Sequence, residues 1–157
     1  NGGAVTRCRY TAHAHQHRAA QLHLSLALRA GRSFRRKPEL RGNRAAAAAL
    51  KMQAVHTELQ AKLRQQGHEL PDMGIGVSSG EAIAGEIGHR IRSEFTALGR
   101  SVNLGARLCS AAEAGQVLIS HNTQQMIENL ASVNDLGEQT FKGITTPGRV
   151  YELIALR

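Results

Sequence analysis

No aspartate or glutamate precedes Glu39, although that stretch carries Arg7, Arg9, Arg18, Arg29, Arg32, Arg35, Arg36 and Lys37. From Arg44 onward acids and bases roughly balance, so the net charge of +8 is unevenly spread and two compositions meet near residue 40. Tryptophan is absent and aromatics amount to 3%, which leaves Leu, Ile, Val and Ala to build the core. Cysteine is scarce as well. Cys8 and Cys109 stand far apart in no metal-ligand spacing, which argues against a disulfide scaffold and reads Cys109 as a lone buried thiol. That usage fits a reducing, cytoplasmic setting. No apolar run approaches the roughly 20 residues a membrane helix needs. The stretch from Leu22 to Leu28 is short, contains His23 and Ser25, and lacks a small-residue cleavage site after it, so it does not read as a leader. With 157 residues and 41% hydrophobic content, the chain has room for one globular domain.

Residues 1–42 show no clear period and mix Arg, His, Ala and Gly. His13, His15 and His17 alternate, but no fixed scaffold flanks them, and metal binding is the weaker reading. Three readings of the segment stand side by side. It is a disordered basic arm for nucleic acid or an acidic surface, a helical extension around Ala19–Ala30, or a segment foreign to the domain, such as an out-of-frame translation of a GC-rich gene. The third fits best, because arms that bind nucleic acid are usually Lys-rich or interleaved with aromatics and this one has a single Lys; no specific nucleic-acid partner is expected.

Order is expected from Asn43, a good N-cap, followed by the helix-forming run Ala45–Ala49. Ala48, Met52, Val55, Leu59 and Leu63 recur at helical spacing and form an expected apolar stripe, with Gly67 and Pro71 ending the helix. Met73, Ile75 and Val77 alternate with Gly74, Gly76 and Ser78, a strand with one bulky face and one open to the close approach of a backbone or helix. Ser79-Gly80 reads as a turn, with Glu81–Gly88 as the return strand of a hairpin. A polar loop at Arg90–Ser93 and a short strand Phe95–Leu98 follow. Then come a helix capped by Ser101 and running to about Ala114, a strand Gln116–Ser120, and a helix capped by Ser120 with Met126, Ile127 and Leu130 on its apolar face. Two closing strands, Val133–Lys142 and Arg149–Ala155, end the chain. This order predicts an α+β sandwich with helices over a mainly antiparallel sheet.

Asn103 and Arg107 lie four residues apart on a predicted helix and so share a face. An amide beside a guanidinium can clamp a sugar edge and a phosphate, because Arg offers phosphate oxygens a planar fork of donors and stays charged. On spacing alone, a solvated helix face is the plainer reading. The surrounding strings change that balance: Gly74-Ile-Gly-x-x-x-Gly-Glu81, Gly85-x-Ile-Gly88, Phe95-Thr-x-x-Gly-x-x-Val-Asn-Leu-x-Ala-Arg-Leu108, Gly115-Gln-Val-Leu-Ile-Ser120, Phe141-Lys-Gly-Ile144 and Val150-Tyr-Glu-Leu153. Taken in order, these motifs resemble the class III adenylate/guanylate cyclase catalytic domain, bacterial adenylate cyclases in particular, over residues 43–157.

The resemblance implies a ferredoxin-like cyclase sandwich, here incomplete, that converts ATP to 3′,5′-cyclic AMP and pyrophosphate in intracellular signalling. It implies that Asn103 orients the ribose and that Arg107 places positive charge on the α-phosphate. Thr96 falls where the purine is read, and Lys142 where a lysine contacts the triphosphate tail. It further implies Mg²⁺ or Mn²⁺ held by two early aspartates, and a head-to-tail homodimer or heterodimer with another cyclase domain. In that dimer one subunit brings the metals and the other the Asn/Arg pair. The metal aspartates have no counterpart, since no Asp precedes Asp72, and the adenine-selecting lysine is missing too. Arg100 stands where Asp or Asn is usual. Gly105 replaces a common Ala, costing about 1 kcal/mol of helix propensity. The expectation is a basic, non-matching segment 1–42 joined to a partial catalytic domain 43–157 that is inactive alone, or else a non-catalytic dimerisation partner of an intact cyclase domain.

Overall fold

The structure, a computed structural model, describes the backbone of residues 6–16, 38–89, 92–144 and 146–157, and the side chains within 42–83, 97–144 and 146–157. In chain order the elements are β1 (Thr6–Gln16), α1 (Pro38–Gln65), β2 (Met73–His89), β3 (Arg92–Leu98), α2 (Arg100–Ala111), β4 (Val117–Ser120), α3 (His121–Ile127), β5 (Ala131–Gln139) and β6 (Gly148–Leu156). The strands form one sheet in the order β1-β2-β4-β6-β5, with β3 also paired to β2. The pair β2/β4 is parallel and the other described pairs are antiparallel. This is the α+β arrangement of helices on a mainly antiparallel sheet that the element order predicts. The helix considered around Ala19–Ala30 lies outside the described residues.

Side chains alternate across a strand, and that alternation sorts the core into two layers. Ile75, Val77, Val117, Ile119, Tyr151 and Leu153 share one buried cluster with Ala46 and Ala49 of α1 and Ile127 of α3. Leu118 and Val150 belong to the opposite face, where they meet Leu108 and Ala112 of α2, with Leu104, Leu136 and Phe141 packed alongside. Helices α1 and α3 thus cover one face of the sheet and α2 the other.

Gly74 and Gly76 point to the α2 face, and the absence of side chains there sets how closely that helix lies. A Cβ built on Gly76 falls 2.2 Å from the Cys109 nitrogen and 2.6 Å from the Gly105 carbonyl oxygen, and one on Gly74 falls 2.6 Å from the Ala112 carbonyl oxygen. Real Cβ atoms do not approach so closely, so the backbone of α2 rests on the glycines themselves.

Three expectations are corrected. First, Ser79-Gly80 is no turn: β2 continues straight through it. One residue separates Cys8 from Tyr10 on β1, but two separate their partners Ala82 and Ser79 on β2, so the extra residue is a β-bulge at Gly80-Glu81. Glycine marks bulges as well as turns, and sequence alone does not distinguish them. β2 instead runs on to His89 and pairs antiparallel with β3 from Ile83↔Leu98 to His89↔Arg92. Second, no strand was expected before Asn43 and the long helix was expected to start there, yet β1 pairs along β2 from Thr6↔Ala84 to Gln16↔Met73, and α1 begins at Pro38, whose missing N–H costs a first turn nothing. Third, the face of α1 turned inward departs from the expected stripe, of which Met52 packs against the core. Gly42, Ala46, Ala49 and Gln53 are buried, whereas Ala48 is exposed and Val55 and Leu59 are 53% and 45% exposed. Close approach to α3 selects the small residues: a Cβ on Gly42 would lie 3.0 Å from the Met126 Cβ. Gln53 then spans α1 and the sheet, its Nε2 donating to the carbonyl oxygens of Met73 (2.8 Å) and Gln116 (3.2 Å).

Cys109, 4% exposed, is on the sheet-facing side of α2 with its thiol 3.7 Å from the Gly74 carbonyl oxygen. Burial pushes its pKa up from 9.0 to about 11, a backbone hydrogen bond to Gly76 only partly opposing this.

Two outcomes follow from this packing. Gly76→Ala is expected to destabilise the chain by about 3 kcal/mol or more by prising α2 off the sheet, read as a lowered urea midpoint. Gly148→Ala, with nothing within 4 Å of its built Cβ, should stay within about 1 kcal/mol. In a Cys8→Ser background, alkylation of native Cys109 at pH 8 should be at least about tenfold slower than in urea. Because the folded thiol keeps its proton to about pH 11 and the unfolded thiol loses it near 9.0, its contribution to stability is complete below pH 9 and declines as the pH rises towards 11.

Candidate functional site

Strand β3 runs directly into α2 through Gly99, which lies in extended backbone (φ 160°) and supplies no side-chain cap. Its need for glycine is spatial, since a Cβ there would meet the Glu81 carbonyl oxygen at 2.9 Å. Ser101, expected as the cap, is instead inside the first turn. Its Oγ donates to the Glu81 carbonyl oxygen at 2.8 Å, and its Cβ lies 2.8 Å from a Cβ built on Gly80. The first turn of α2 is therefore fastened to the bulge in β2. The bulge is itself held from the other side of the sheet: Thr123 Oγ1 donates to Ser79 Oγ at 2.9 Å, and Ser120, which caps α3, lies 3.0 Å from the same hydroxyl.

With Ser101, Gly105, Leu108 and Cys109 buried against the sheet, Arg100, Asn103, Arg107 and Ser110 remain exposed on the outer face of α2. Spacings of three and four put them in one row. The helix between Gly99 and Ala112 carries that row as a rigid unit, its first bond running from Asn103 N–H to the Gly99 carbonyl oxygen at 3.1 Å.

Lys142 arrives from the connection between β5 and β6. Phe141 packs against the buried cluster of Leu108, Ala112, Leu118 and Val150, which brings this connection to the side of the sheet that α2 covers. A bond from Ile144 N–H to the Phe141 carbonyl oxygen (3.0 Å) closes a tight turn with Gly143 at φ +82°. Arg107 reaches over it, with Nη2 3.8 Å from a Cβ built on Gly143. Arg107, one helical turn from Asn103, therefore reaches the turn that bears Lys142, all three exposed, and no carboxylate among the described residues pairs with either cation. Two donor-rich cations near an amide, open to solvent, suit an anionic ligand with a hydroxylated portion. Closing strands were expected to reach Lys142; β5 instead ends at Gln139, which frees Phe141–Ile144 to form this turn.

Thr96 lies in β3 opposite Gly85 of β2, and its side chain is outside the described residues. The role of Gly143 was not singled out in the sequence; its one visible signal was its place in the Phe141-Lys-Gly-Ile144 string.

The chain's two aspartates lie elsewhere and each has a partner. Asp72 accepts from Gln60 Nε2 at 3.0 Å. Asp135 accepts from Arg149 Nε at 2.9 Å and Nη2 at 2.6 Å, and that guanidinium, with the Gly137 N–H, holds its carboxyl below the usual range. Among the described residues no three His, Cys, Asp or Glu side chains gather to hold a metal ion, so this donor set does not fit the pair of divalent ions the resemblance implies. No described helix is long and apolar enough to cross a membrane.

The family model for the adenylate and guanylate cyclase catalytic domain matches residues 9–154. Among curated proteins, adenylate cyclase type 10 of Rattus norvegicus is 30% identical over 93 residues, covering 58% of this chain and 6% of its own length. An uncharacterized protein of Mycobacterium tuberculosis is 35% identical over 89 residues, 53% of this chain and 17% of that protein. Among solved structures, the adenylyl cyclase CyaB from P. aeruginosa superposes with a TM-score of 0.73 at 30% identity, over 78% of this chain and 63% of that one. The guanylyl cyclase Cya2 gives 0.68 at 28% identity, over 74% and 59%. The chain thus spans less than two thirds of each of these proteins. The family match runs from β1 to β6, through the helix that carries Asn103 and Arg107 and the turn that carries Lys142, and on that breadth the chain belongs to the adenylate and guanylate cyclase catalytic-domain family.

Proposed function

We propose that this chain supplies one half of an adenylate cyclase active site, the half that orients the ribose of ATP and stabilises charge at its α-phosphate. The observation that carries this reading is Arg107, one turn from Asn103 on the exposed face of α2, reaching the turn that holds Lys142. In this reading Asn103 holds the ribose so that its 3′-hydroxyl faces the α-phosphorus. As the 3′ oxygen–phosphorus bond forms and the bond to pyrophosphate breaks, the α-phosphate oxygens gain charge. A guanidinium already in place on a rigid helix favours that arrangement over the ground state without reorganising. Lys142 meets the triphosphate tail. Thr96, a small hydroxyl where the purine is read, supports ATP over GTP; the names of similar structures divide between adenylyl and guanylyl cyclases and do not decide the base.

The described residues gather no group of three His, Cys, Asp or Glu side chains for a divalent ion, so in this reading the complementary half of the site comes from a partner cyclase domain across a dimer interface. Paired only with itself, the chain is inactive in this reading.

The purified chain with Mn²⁺ and ATP is expected to form cyclic AMP at background level only. Turnover by the chain alone would overturn the half-site reading. Mixing it with a cyclase domain that keeps its metal carboxylates but lacks its own Asn/Arg pair should restore synthesis. Arg107→Ala should then lower kcat by about 10²- to 10³-fold, and ATP should be preferred to GTP in kcat/KM. Association without restored synthesis would point to a regulatory partner instead.

A further inference from the structure

Among the described residues, four glycines have backbone conformations that L side chains rarely adopt: Gly67, Gly115, Gly137 and Gly143, with φ between 77° and 82°. At Gly67, Gly115 and Gly137 a built Cβ meets nothing within 4 Å, whereas at Gly143 it meets one group, the Nη2 of Arg107. The first three serve the path of the chain. The fourth also lies beneath the guanidinium to which the proposed function gives the central electrostatic role.

We infer that Gly143 is a positioning residue for Arg107: its bare left-handed turn, held against α2 by Phe141, is the surface that sets where the guanidinium sits. The inference rests on the reading of Arg107 as the group acting at the α-phosphate. A long, exposed Arg side chain ordinarily samples many rotamers, and a charge spread over many positions contributes little preorganised field at any one of them. The turn restricts that freedom. Phe141 packs against the same buried cluster that includes Leu108 of α2, so the turn and the helix bearing Arg107 share one apolar seam. The contact at 3.8 Å is ordinary van der Waals distance, so a Cβ alone would fit in space, while atoms beyond it would take the guanidinium's place. The φ of +82° makes glycine the natural occupant, with Asn the most tolerant alternative.

The same substitution at two matched glycines separates this role from backbone strain. Gly143→Asn and Gly137→Asn both enter left-handed turns, and only the first puts atoms beside Arg107. In the isolated full chain labelled with ¹⁵N-arginine, the Nε–Hε resonance of Arg107, assigned through its loss in Arg107→Lys, is expected to shift in Gly143→Asn and stay in place in Gly137→Asn. In the unaltered chain the same bond should be more ordered than that of the exposed Arg64, a comparison that holds even if a variant does not fold. In the mixed assembly, Gly143→Asn should lower kcat about tenfold or more with KM for ATP within about twofold, while Gly137→Asn leaves both unchanged.

An unmoved Arg107 resonance, equal effects at both glycines, or Arg107 as mobile as Arg64 would each overturn the inference. So would a rise in KM with kcat intact, because the turn would then act through Lys142. If the unaltered mixed assembly makes no cyclic AMP while the resonance contrast holds, the proposed function fails and the positioning contact stands.

Discussion

Helix α2 lies as close to the sheet as backbone atoms permit, and it does so because β2 presents Gly74, Gly76 and Gly80 beneath it. Each of the three meets a different level of the helix: Ala112 near its end, Cys109 and Gly105 in its middle, Ser101 in its first turn. Contact at three levels leaves little freedom to slide, tilt or rotate, since a shift of even a few tenths of an ångström would press main-chain atoms together or open a gap that no side chain fills. The remaining geometry of the candidate site depends on this constraint. With the inner row of α2 committed to the glycines, Asn103 and Arg107 have only the outer face to occupy.

Polar bonds add orientation to that closeness. Ser101 donates across to Glu81 at the bulge, and on the far side of the sheet the Ser79, Ser120 and Thr123 hydroxyls bond one another with Thr123 fully buried. A buried hydroxyl left without a partner costs more than a satisfied one gains, so this network penalises any shift of β2 relative to α3. The bulge thus has a hydroxyl contact on each face, one leading to the helix of the site and one to the helix behind it. Gly105 costs helix propensity, and its place is in the row where α2 meets Gly76 most closely.

Much of the site's framework was legible in the sequence. The alternation of glycine with Ile75 and Val77 marked a strand with a face open to close approach, and the spacing of Asn103 and Arg107 put them on one helix face. Ser120 capped its helix as expected. What misled was information that sequence carries ambiguously. Ser79-Gly80 has the composition of a turn, but its backbone became a bulge because β1 pairs along both sides of it. In α1 the largest apolar residues suggested the inner face, yet α3 and the sheet accept only Gly42, Ala46 and Ala49 at their spacing, which leaves Val55 and Leu59 exposed. Periodicity reports where large side chains recur, and a helix that packs by its smallest residues escapes it.

The sequence by itself determined the family, the order of elements from β3 onward and the row bearing Asn103 and Arg107, because each follows from motifs and periods read within a short span. Tertiary structure alone decided that Arg107 and the turn of Lys142 and Gly143 come together, and that the chain's two aspartates are held elsewhere by Gln60 and Arg149. These contacts join residues distant along the chain. The meeting of Arg107 with the turn arises from the packing of Phe141 against the cluster that includes Leu108, and the Asp135–Arg149 pair from the strand pairing of β5 with β6, and no local pattern encodes either.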